Sequence, residues 1–254
     1  MKHKPVIIAV AGKGGVGKTS VAAAMVNIIS KAHPESRLLA IDADPATGLS
    51  TALGVEVKET VDDIRKSIVE SLDEGDTRTA IELLGDARYK IFDAMTETER
   101  FAFIAVGRPE AAGCYCKING YLKEVISLLS ADFDYVVIDG EAGVEQINRR
   151  VMEKVTHLFL VTDPSKKGRQ VIASVKEVAD RLMSPERTGV IVNRILDMKG
   201  ADALDLNGQE AYAFIPADPD VAGFDTEGKS LLDLPEDSAL LLGVREALKK
   251  AGII

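Results

Sequence analysis

The chain has 254 residues, of which 46% are hydrophobic, and its formal net charge is −9. This length and apolar content suit a single α/β domain with a large core, which we expect to span residues 1–254. Because broad binding to nucleic acids or anionic membranes needs a positive field, we expect neither as a partner.

Strand-like apolar runs alternate with helix-like segments along the whole chain. In chain order we predict strand 6–11, helix 20–32, strand 37–41, helix 62–72, strand 101–106, helix 118–129, strand 134–139, helix 145–154, strand 157–162, helix 166–183, strand 188–193, strand 210–215 and helix 237–250. Thr60 is the expected N-terminal cap of the helix at residues 62–72. Residues 73–100 are charged and weakly patterned, and we predict only a short helix with connections there. This alternation predicts an α/β fold whose mostly parallel sheet is flanked by helices on both faces, with ligands at the carboxyl ends of the strands.

The start of the chain leads directly into the first predicted strand. It has no separate signal segment with a cleavage site, and no apolar run approaches the roughly 18 residues of a membrane span. We therefore expect a cytoplasmic protein.

A glycine-rich segment follows the first strand and matches the phosphate-binding loop G-x-x-x-x-G-K-[ST]. The N–H groups of such a loop, together with the N-terminus of the next helix, attract phosphate. Lys18 can then reach the β- and γ-phosphates, and the Thr19 hydroxyl can hold Mg²⁺. The predicted nucleotide-binding residues are Gly12, Lys13, Gly14, Gly15, Val16, Gly17, Lys18, Thr19 and Ser20.

Lys13 is a second lysine in this loop. The pattern K-G-G-x-G-K-T resembles the deviant phosphate loop of an ATPase group that includes partition and septum-site ATPases, the nitrogenase iron protein and nickel-insertion ATPases. In that group the early lysine crosses a dimer interface and contacts the nucleotide of the other subunit. The resemblance implies a homodimer in which Lys13, like an arginine finger, supplies a cation in trans. Lys13 and Lys18 are therefore candidate catalytic residues.

Two carboxylates, Asp42 and Asp44, follow the second predicted strand. At this spacing they face the same way while the chain is extended. The pattern resembles the first switch of the same ATPases, which implies that Asp44 orients the attacking water and that Asp42 binds the magnesium shell. The structural alternative is an Asx turn before Pro45.

The two cysteines of the chain, Cys114 and Cys116, lie two residues apart. In an extended segment this spacing points both sulfurs to one side, and Lys117 beside them favours thiolates. Two thiolates fill half of a tetrahedral soft-metal site, which a two-fold dimer would complete with four sulfurs. Nickel, zinc and cobalt all accept such ligands. The alternative is a chance pair of reduced thiols.

An apolar strand ending in Asp139 has the Walker B form, so Asp139 is expected to hold Mg²⁺ through water. The residues after it resemble the second switch of the same ATPases, which implies that Gly143 contacts the γ-phosphate. A strand-end turn is the structural alternative for Asp139.

Two strand ends near the C-terminus are candidates for base recognition. The strand at residues 188–193 ends in Asn193 and Arg194. The resemblance implies that this asparagine binds adenine and that the backbone near Pro216 flanks the base. A guanine reader would need the pattern N-K-x-D, and Asp197 comes one residue too late for it. We therefore expect ATP and ADP rather than GTP.

The deviant loop combined with a C-x-C pair resembles the CooC-type ATPases, which deliver nickel to carbon monoxide dehydrogenase, and their relatives that serve acetyl-CoA synthase. This resemblance implies a metallochaperone with Ni²⁺ or Zn²⁺ at the C-x-C site and one of those apo-enzymes as partner. Two other functions stay open. One is an iron–sulfur electron-transfer protein like the nitrogenase iron protein, and the other is a partition or positioning ATPase, which would need a basic surface or tail.

Overall fold

The structure is a computed structural model that describes residues 4–44, 46–75, 77–107, 116–140, 143–151 and 154–254. Within these residues the chain forms eight strands, nine α-helices and two short 3₁₀ helices. The strands are β1 (Val6–Gly12), β2 (Leu38–Asp42), β3 (Thr96–Glu97), β4 (Ala102–Ala105), β5 (Tyr135–Asp139), β6 (His157–Thr162), β7 (Arg187–Ile195) and β8 (Ala211–Pro216). The helices are α1 (Lys18–Ala32), α2 (Gly48–Leu53), α3 (Val61–Asp73), α4 (Thr77–Ala94), α5 (Cys116–Ser130), α6 (Glu145–Arg150), α7 (Lys166–Leu182), α8 (Pro219–Glu227) and α9 (Ala239–Lys250).

The strands form one sheet in the order β3-β4-β2-β5-β1-β6-β7-β8. All neighbours pair in parallel except β3 and β4. The register sets Asp139 beside Val10 of β1 on one side and beside Asp42 of β2 on the other. The carboxyl ends of the three central strands therefore meet at one edge, and the predicted mostly parallel α/β fold is confirmed.

Helices cover both faces of the sheet, and each face has its own core. Side chains of α1, α2 and α9 pack with one face, whereas those of α3 to α7 pack with the other. Consecutive residues of β1 show the alternation, because Ile8 belongs to the first core and Ala9 to the second. A strand buried on both sides reads as a continuous apolar run, which is why the central strands could be located from the sequence. None of the helices in the described residues has the combination of length and hydropathy that spanning a bilayer requires.

The structure corrects several predicted elements. Residues 73–100 hold the 18-residue helix α4 and strand β3, so the prediction of a short helix with connections there is wrong. The apolar side chains of α4 are buried at Ala87 and Ile91 but exposed at Tyr89 and Phe92, which blurs the helical periodicity. Helices α2 and α8 were not predicted. The helix predicted at residues 145–154 ends at Arg150.

The predicted cap of α3 is confirmed and gives a test of local stability. Thr60 accepts a hydrogen bond from the N–H of Asp63 (3.1 Å), and the Asp63 carboxylate accepts one from the N–H of Thr60 (3.0 Å). This reciprocal pair is a capping box. We expect Thr60→Ala to lower the free energy of unfolding by about 1 kcal/mol in urea denaturation.

Ser174→Ala is the matched control for this substitution, because Ser174 is an exposed hydroxyl within α7 that donates only to a carbonyl of its own helix. It should leave stability nearly unchanged. Equal effects of the two substitutions would contradict the capping role of Thr60.

Candidate functional site

A cavity with a volume of about 950 Å³ lies at the carboxyl ends of the central strands. Its walls come from the glycine-rich loop and the start of α1, from Asp44 and α2, from the residues after β7 and β8, and from α8. Ligands of open parallel sheets bind at this edge. The loop residues that line the cavity are Gly14, Gly15, Gly17, Lys18, Thr19 and Ser20.

Two glycines of the loop occupy positions that a side chain could not. Gly12 has φ of 145°, and a Cβ there would lie 2.0 Å from the carbonyl oxygen of Val161. Gly17 has φ of 89°, and a Cβ there would lie 2.7 Å from Nδ2 of Asn193. These glycines therefore let the loop pass close to β6 and to the end of β7.

Lys18 and Thr19 start α1 at the floor of the cavity. Lys18 is buried, and its Nζ donates to the carbonyl oxygen of Lys13 within the same loop (3.3 Å). Side-chain atoms of Thr19 lie within 4 Å of the Cβ position of Gly48, the first residue of α2. An ammonium, a hydroxyl and a helix N-terminus thus face one space, which suits a phosphate chain.

Asp139 has an unsatisfied carboxylate at the end of β5. It is fully buried, and within the described residues neither of its oxygens makes a hydrogen bond of ordinary geometry. Burial raises the pKa of Asp139 to about 7, although the nearby Thr19 hydroxyl lowers it in part. Buried carboxylates are normally paired or bound to metal. The orphaned oxygens beside a threonine hydroxyl fit a magnesium site made by Thr19 and Asp139.

Asp42 and Asp44 both shape the loop after β2. Asp42 is buried and accepts backbone N–H groups from Asp44 (3.1 Å) and Leu49 (2.9 Å). Burial raises its pKa to about 6, while these hydrogen bonds act in the opposite direction. Asp44 accepts the N–H of Ala46 (2.9 Å), so the Asx turn is present, and the residue also lines the cavity. The turn therefore does not withdraw Asp44 from the site.

Lys13 makes a contact within its own chain that the sequence did not suggest. Its Nζ lies 2.7 Å from Oδ2 of Asp163, and both side chains are about a quarter exposed, at 29% and 26%. Burial alone would raise the pKa of Asp163, but the hydrogen bonds from Lys13 and Ser165 lower it overall. Asp163 directly follows β6, the neighbour of β1, so a parallel arrangement of these strands would have placed it near the loop.

Asn193 and Arg194 reach the loop from the end of β7. Asn193 donates from Nδ2 to the carbonyl oxygen of Val16 (2.9 Å), and Arg194 donates from Nη1 to that of Gly15 (2.7 Å). Both residues line the cavity. Pro216 ends β8 and is not among the described cavity-lining residues, whereas the next two residues, Ala217 and Asp218, line the cavity.

Gly143 and the two cysteines are the other predicted site residues. Gly143 precedes α6 and is not among the cavity-lining residues that the structure describes. Cys114 lies outside the described residues. The backbone of Cys116 begins α5, so the prediction of an extended segment is wrong at this position, because the helix starts two residues before its predicted boundary. The described residues contain no group of three or more side chains able to hold a metal ion.

The chain is similar to known nucleotide-binding proteins over most of its length. A family model described as CobQ/CobB/MinD/ParA nucleotide binding domain matches residues 7–231. An uncharacterized ATP-binding protein of Methanocaldococcus jannaschii is 34% identical over 248 residues, covering 96% of this chain and 97% of that protein. The carbon monoxide dehydrogenase accessory protein CooC of Rhodospirillum rubrum is 27% identical over 252 residues, covering 89% of each chain. The septum site-determining protein MinD of Pyrococcus horikoshii, solved with Mg-ADP, shares the fold with a TM-score of 0.70 at 22% identity over 97% of this chain and 96% of that chain.

Proposed function

The chain belongs to the CobQ/CobB/MinD/ParA family of nucleotide-binding domains, and from this premise we propose that it is a homodimeric ATPase that loads a metal ion into a client enzyme. The substrate is ATP with magnesium. The cargo is nickel or another soft divalent ion, and the client is an apo-enzyme of the carbon monoxide dehydrogenase or acetyl-CoA synthase type. The observation that carries this proposal is the spacing of the only two cysteines, two residues apart, in a chain with a phosphate-binding loop.

The nucleotide half of the proposal rests on the geometry of the cavity. Lys18 and the N–H groups of the loop hold the β- and γ-phosphates, and Asp44 orients the water that attacks the γ-phosphorus as the bond to ADP breaks. Magnesium bound at Thr19 and Asp139 would neutralise charge on the phosphate oxygens.

The orientation of Asn193 supports adenine as the base. Its amide nitrogen donates one hydrogen to the carbonyl of Val16, which leaves the amide oxygen and the second N–H for a ligand. An acceptor beside a donor matches the amino group and N7 of adenine, whereas guanine presents two acceptors, O6 and N7, on the same edge. This favours ATP as substrate, in agreement with the absence of an N-K-x-D pattern.

The metal half of the proposal requires two copies of the chain. Two thiolates give half of a tetrahedral site, and a two-fold axis supplies the other half. The proposed role of Lys13 requires a dimer independently of the cysteines, because its proposed partner is the nucleotide of the second chain. Similarity to the accessory protein CooC over 89% of both chains supports this choice of client.

A positioning ATPase is less well supported by the described residues. Membrane attachment by an amphipathic tail needs a free apolar face beside basic residues. The final helix α9 carries Lys249 and Lys250, but its apolar side chains pack against α1 and β8 in the core. That face is therefore already occupied.

Metal binding and mass in solution, each with and without a non-hydrolysable ATP analogue, test the proposed function. We expect a dimer holding one metal ion in the presence of the analogue, and tighter binding of nickel or zinc than without it. Because coupling between two ligands is reciprocal, the metal must tighten the analogue by the same factor. Cys114→Ser should abolish metal-driven dimerisation but leave binding of ATP to the monomer unchanged.

The alternatives give different results in the same experiment. Equal metal affinity with and without the analogue would rule out a metallochaperone driven by ATP. Iron and acid-labile sulfide in anaerobic preparations would favour the electron-transfer protein. Sedimentation with lipid vesicles or DNA would favour the positioning ATPase.

A further inference from the structure

Two consecutive side chains at the end of β7 bind two consecutive carbonyl groups of the phosphate-binding loop. Asn193 holds the carbonyl oxygen of Val16 at 2.9 Å, and Arg194 holds that of Gly15 at 2.7 Å. Asn193 is buried, and the absence of a side chain at Gly17 gives it room. Residues almost 180 positions later in the chain therefore hold the loop from the end of β7.

Fixing a carbonyl also fixes the N–H group of the following residue. A peptide unit is planar and trans, so its C=O and N–H bonds point in opposite directions. When Gly15 and Val16 turn their carbonyls toward β7, the N–H groups of Val16 and Gly17 turn away from β7. Inward N–H groups are the feature by which such loops bind phosphate.

The backbone of Arg194 adopts a conformation that is unusual for a residue with a side chain. Its φ is 59°, in the left-handed region that arginine rarely adopts. The next residue is fixed by a hydrogen bond from the N–H of Ala217 to the carbonyl of Ile195 (2.9 Å), at a point where the pairing of β7 with β8 shifts register. Strained positions of this kind persist where the surroundings impose them, and they cluster at functional sites.

We propose that Arg194 is a positioning residue that holds the phosphate-binding loop in its binding conformation through the carbonyl of Gly15. Its ligand class is any molecule with two adjacent phosphates, whatever base it carries. This inference rests on the nucleotide site of the proposed function but not on the metal site or the dimer.

Arg194→Asn separates this role from direct contact with a nucleotide. Asparagine tolerates the left-handed conformation but is too short to reach Gly15. We expect the affinities for Mg·ADP and for magnesium pyrophosphate to fall by the same factor, about 5- to 20-fold, in titration calorimetry. The factor should be the same at 0.05 M and 0.5 M KCl, because a hydrogen bond to a carbonyl is screened far less than an ion pair.

Arg187→Asn is the matched control. Arg187 starts the same strand at the opposite edge of the sheet and also donates to a backbone carbonyl, that of Ala251 (3.0 Å). It should leave both affinities unchanged, and thermal unfolding should show both variants folded.

Three results would overturn the inference. If Mg·ADP weakens while pyrophosphate does not, Arg194 contacts the base or ribose. If the effect disappears in 0.5 M KCl, Arg194 acts as a charge on phosphate. If the wild-type chain binds neither ligand, the nucleotide site itself fails, and the proposed function fails with it.

Discussion

Replacing Asp139 with asparagine should slow ATP turnover by about 10- to 100-fold and at the same time stabilise the ligand-free chain at neutral pH. The loss follows from the proposed magnesium site, because the substitution removes the charge of a carboxylate whose oxygens make no hydrogen bond of ordinary geometry within the described residues. The gain follows from the same burial. An ionised carboxylate without hydrogen bonds destabilises the fold in which it is buried.

The raised pKa of Asp139 predicts how this gain in stability depends on pH. The pKa of Asp139 is about 7 in the folded chain, compared with 3.8 for a free side chain. Between these values the folded state binds more protons than the unfolded state, so the free energy of unfolding falls as the pH rises from about 4 to about 7. Above pH 7 Asp139 is ionised in the folded chain, and the full free-energy penalty of burying its charge is present. Asparagine is neutral throughout but leaves its own amide unsatisfied, so we expect a net gain of about 1 to 2 kcal/mol at pH 8.

Thermal and urea unfolding between pH 5 and pH 8 measures this gain. The stability of the variant should fall less steeply with pH than that of the wild type, with a residual slope due to Asp42, whose pKa is raised to about 6. Asp134→Asn is the matched control, because Asp134 directly precedes β5 at the opposite edge and accepts the N–H of Arg37. It should show neither effect. A variant at Asp139 that turns over ATP normally, or that is less stable than the wild type at pH 8, would contradict the proposed site.

The parts of the fold that could be predicted from the sequence are those with strong local signals. Strand β6 is confirmed at its predicted limits, and the cap at Thr60 is present as a capping box. Helix α8 gave no signal because none of its residues is buried, so it has no apolar periodicity. Helix α2 is only six residues long, and part of its hydrogen bonding comes from Asp42 in a neighbouring strand. Such a contact cannot be recognised from the residues of α2 alone.

The candidate site also has parts that the local sequence predicts and parts that it does not. The loop from Gly12 to Thr19 could be recognised because its glycines and its lysine are adjacent in the chain. The contacts of Asn193 with Val16 and of Lys13 with Asp163 join residues about 150 or more positions apart, and only the sheet order brings them together. The resemblance to a family predicted that Asn193 belongs to the site. It did not predict that its amide nitrogen holds the loop.

Replacing Lys13 with alanine should reduce ATP turnover by about 100-fold or more while the affinity for nucleotide changes little. The reason is the proposed role in trans, in which Lys13 meets the phosphate charge that develops on the other chain. In the single chain Lys13 is paired with Asp163 instead, through a partly exposed contact of 2.7 Å. This pair must break before Lys13 can cross to a partner.

Asp163→Asn should therefore free Lys13 for its proposed contact with the partner's nucleotide, whereas Lys13→Ala removes that contact. A partly exposed ion pair is worth about 0.5 to 1 kcal/mol, so its loss should tighten the nucleotide-dependent dimer by about two- to fivefold. Sedimentation with a non-hydrolysable ATP analogue measures the dimer constant. The effect of Asp163→Asn should shrink as salt is raised, since screening already weakens the pair in the wild type.

A mixture of two variants, each lacking one proposed catalytic group, decides whether Lys13 acts in trans. Chains with Lys13→Ala keep Asp44, and chains with Asp44→Asn keep Lys13. If Lys13 serves the partner's nucleotide, a mixed dimer has one complete site, formed by Asp44 of the first chain and Lys13 of the second, and mixing restores part of the turnover. If Lys13 serves its own nucleotide, every site in the mixture lacks one group, and mixing restores nothing. The second result would remove the independent argument for a dimer and leave the two cysteines as its only support.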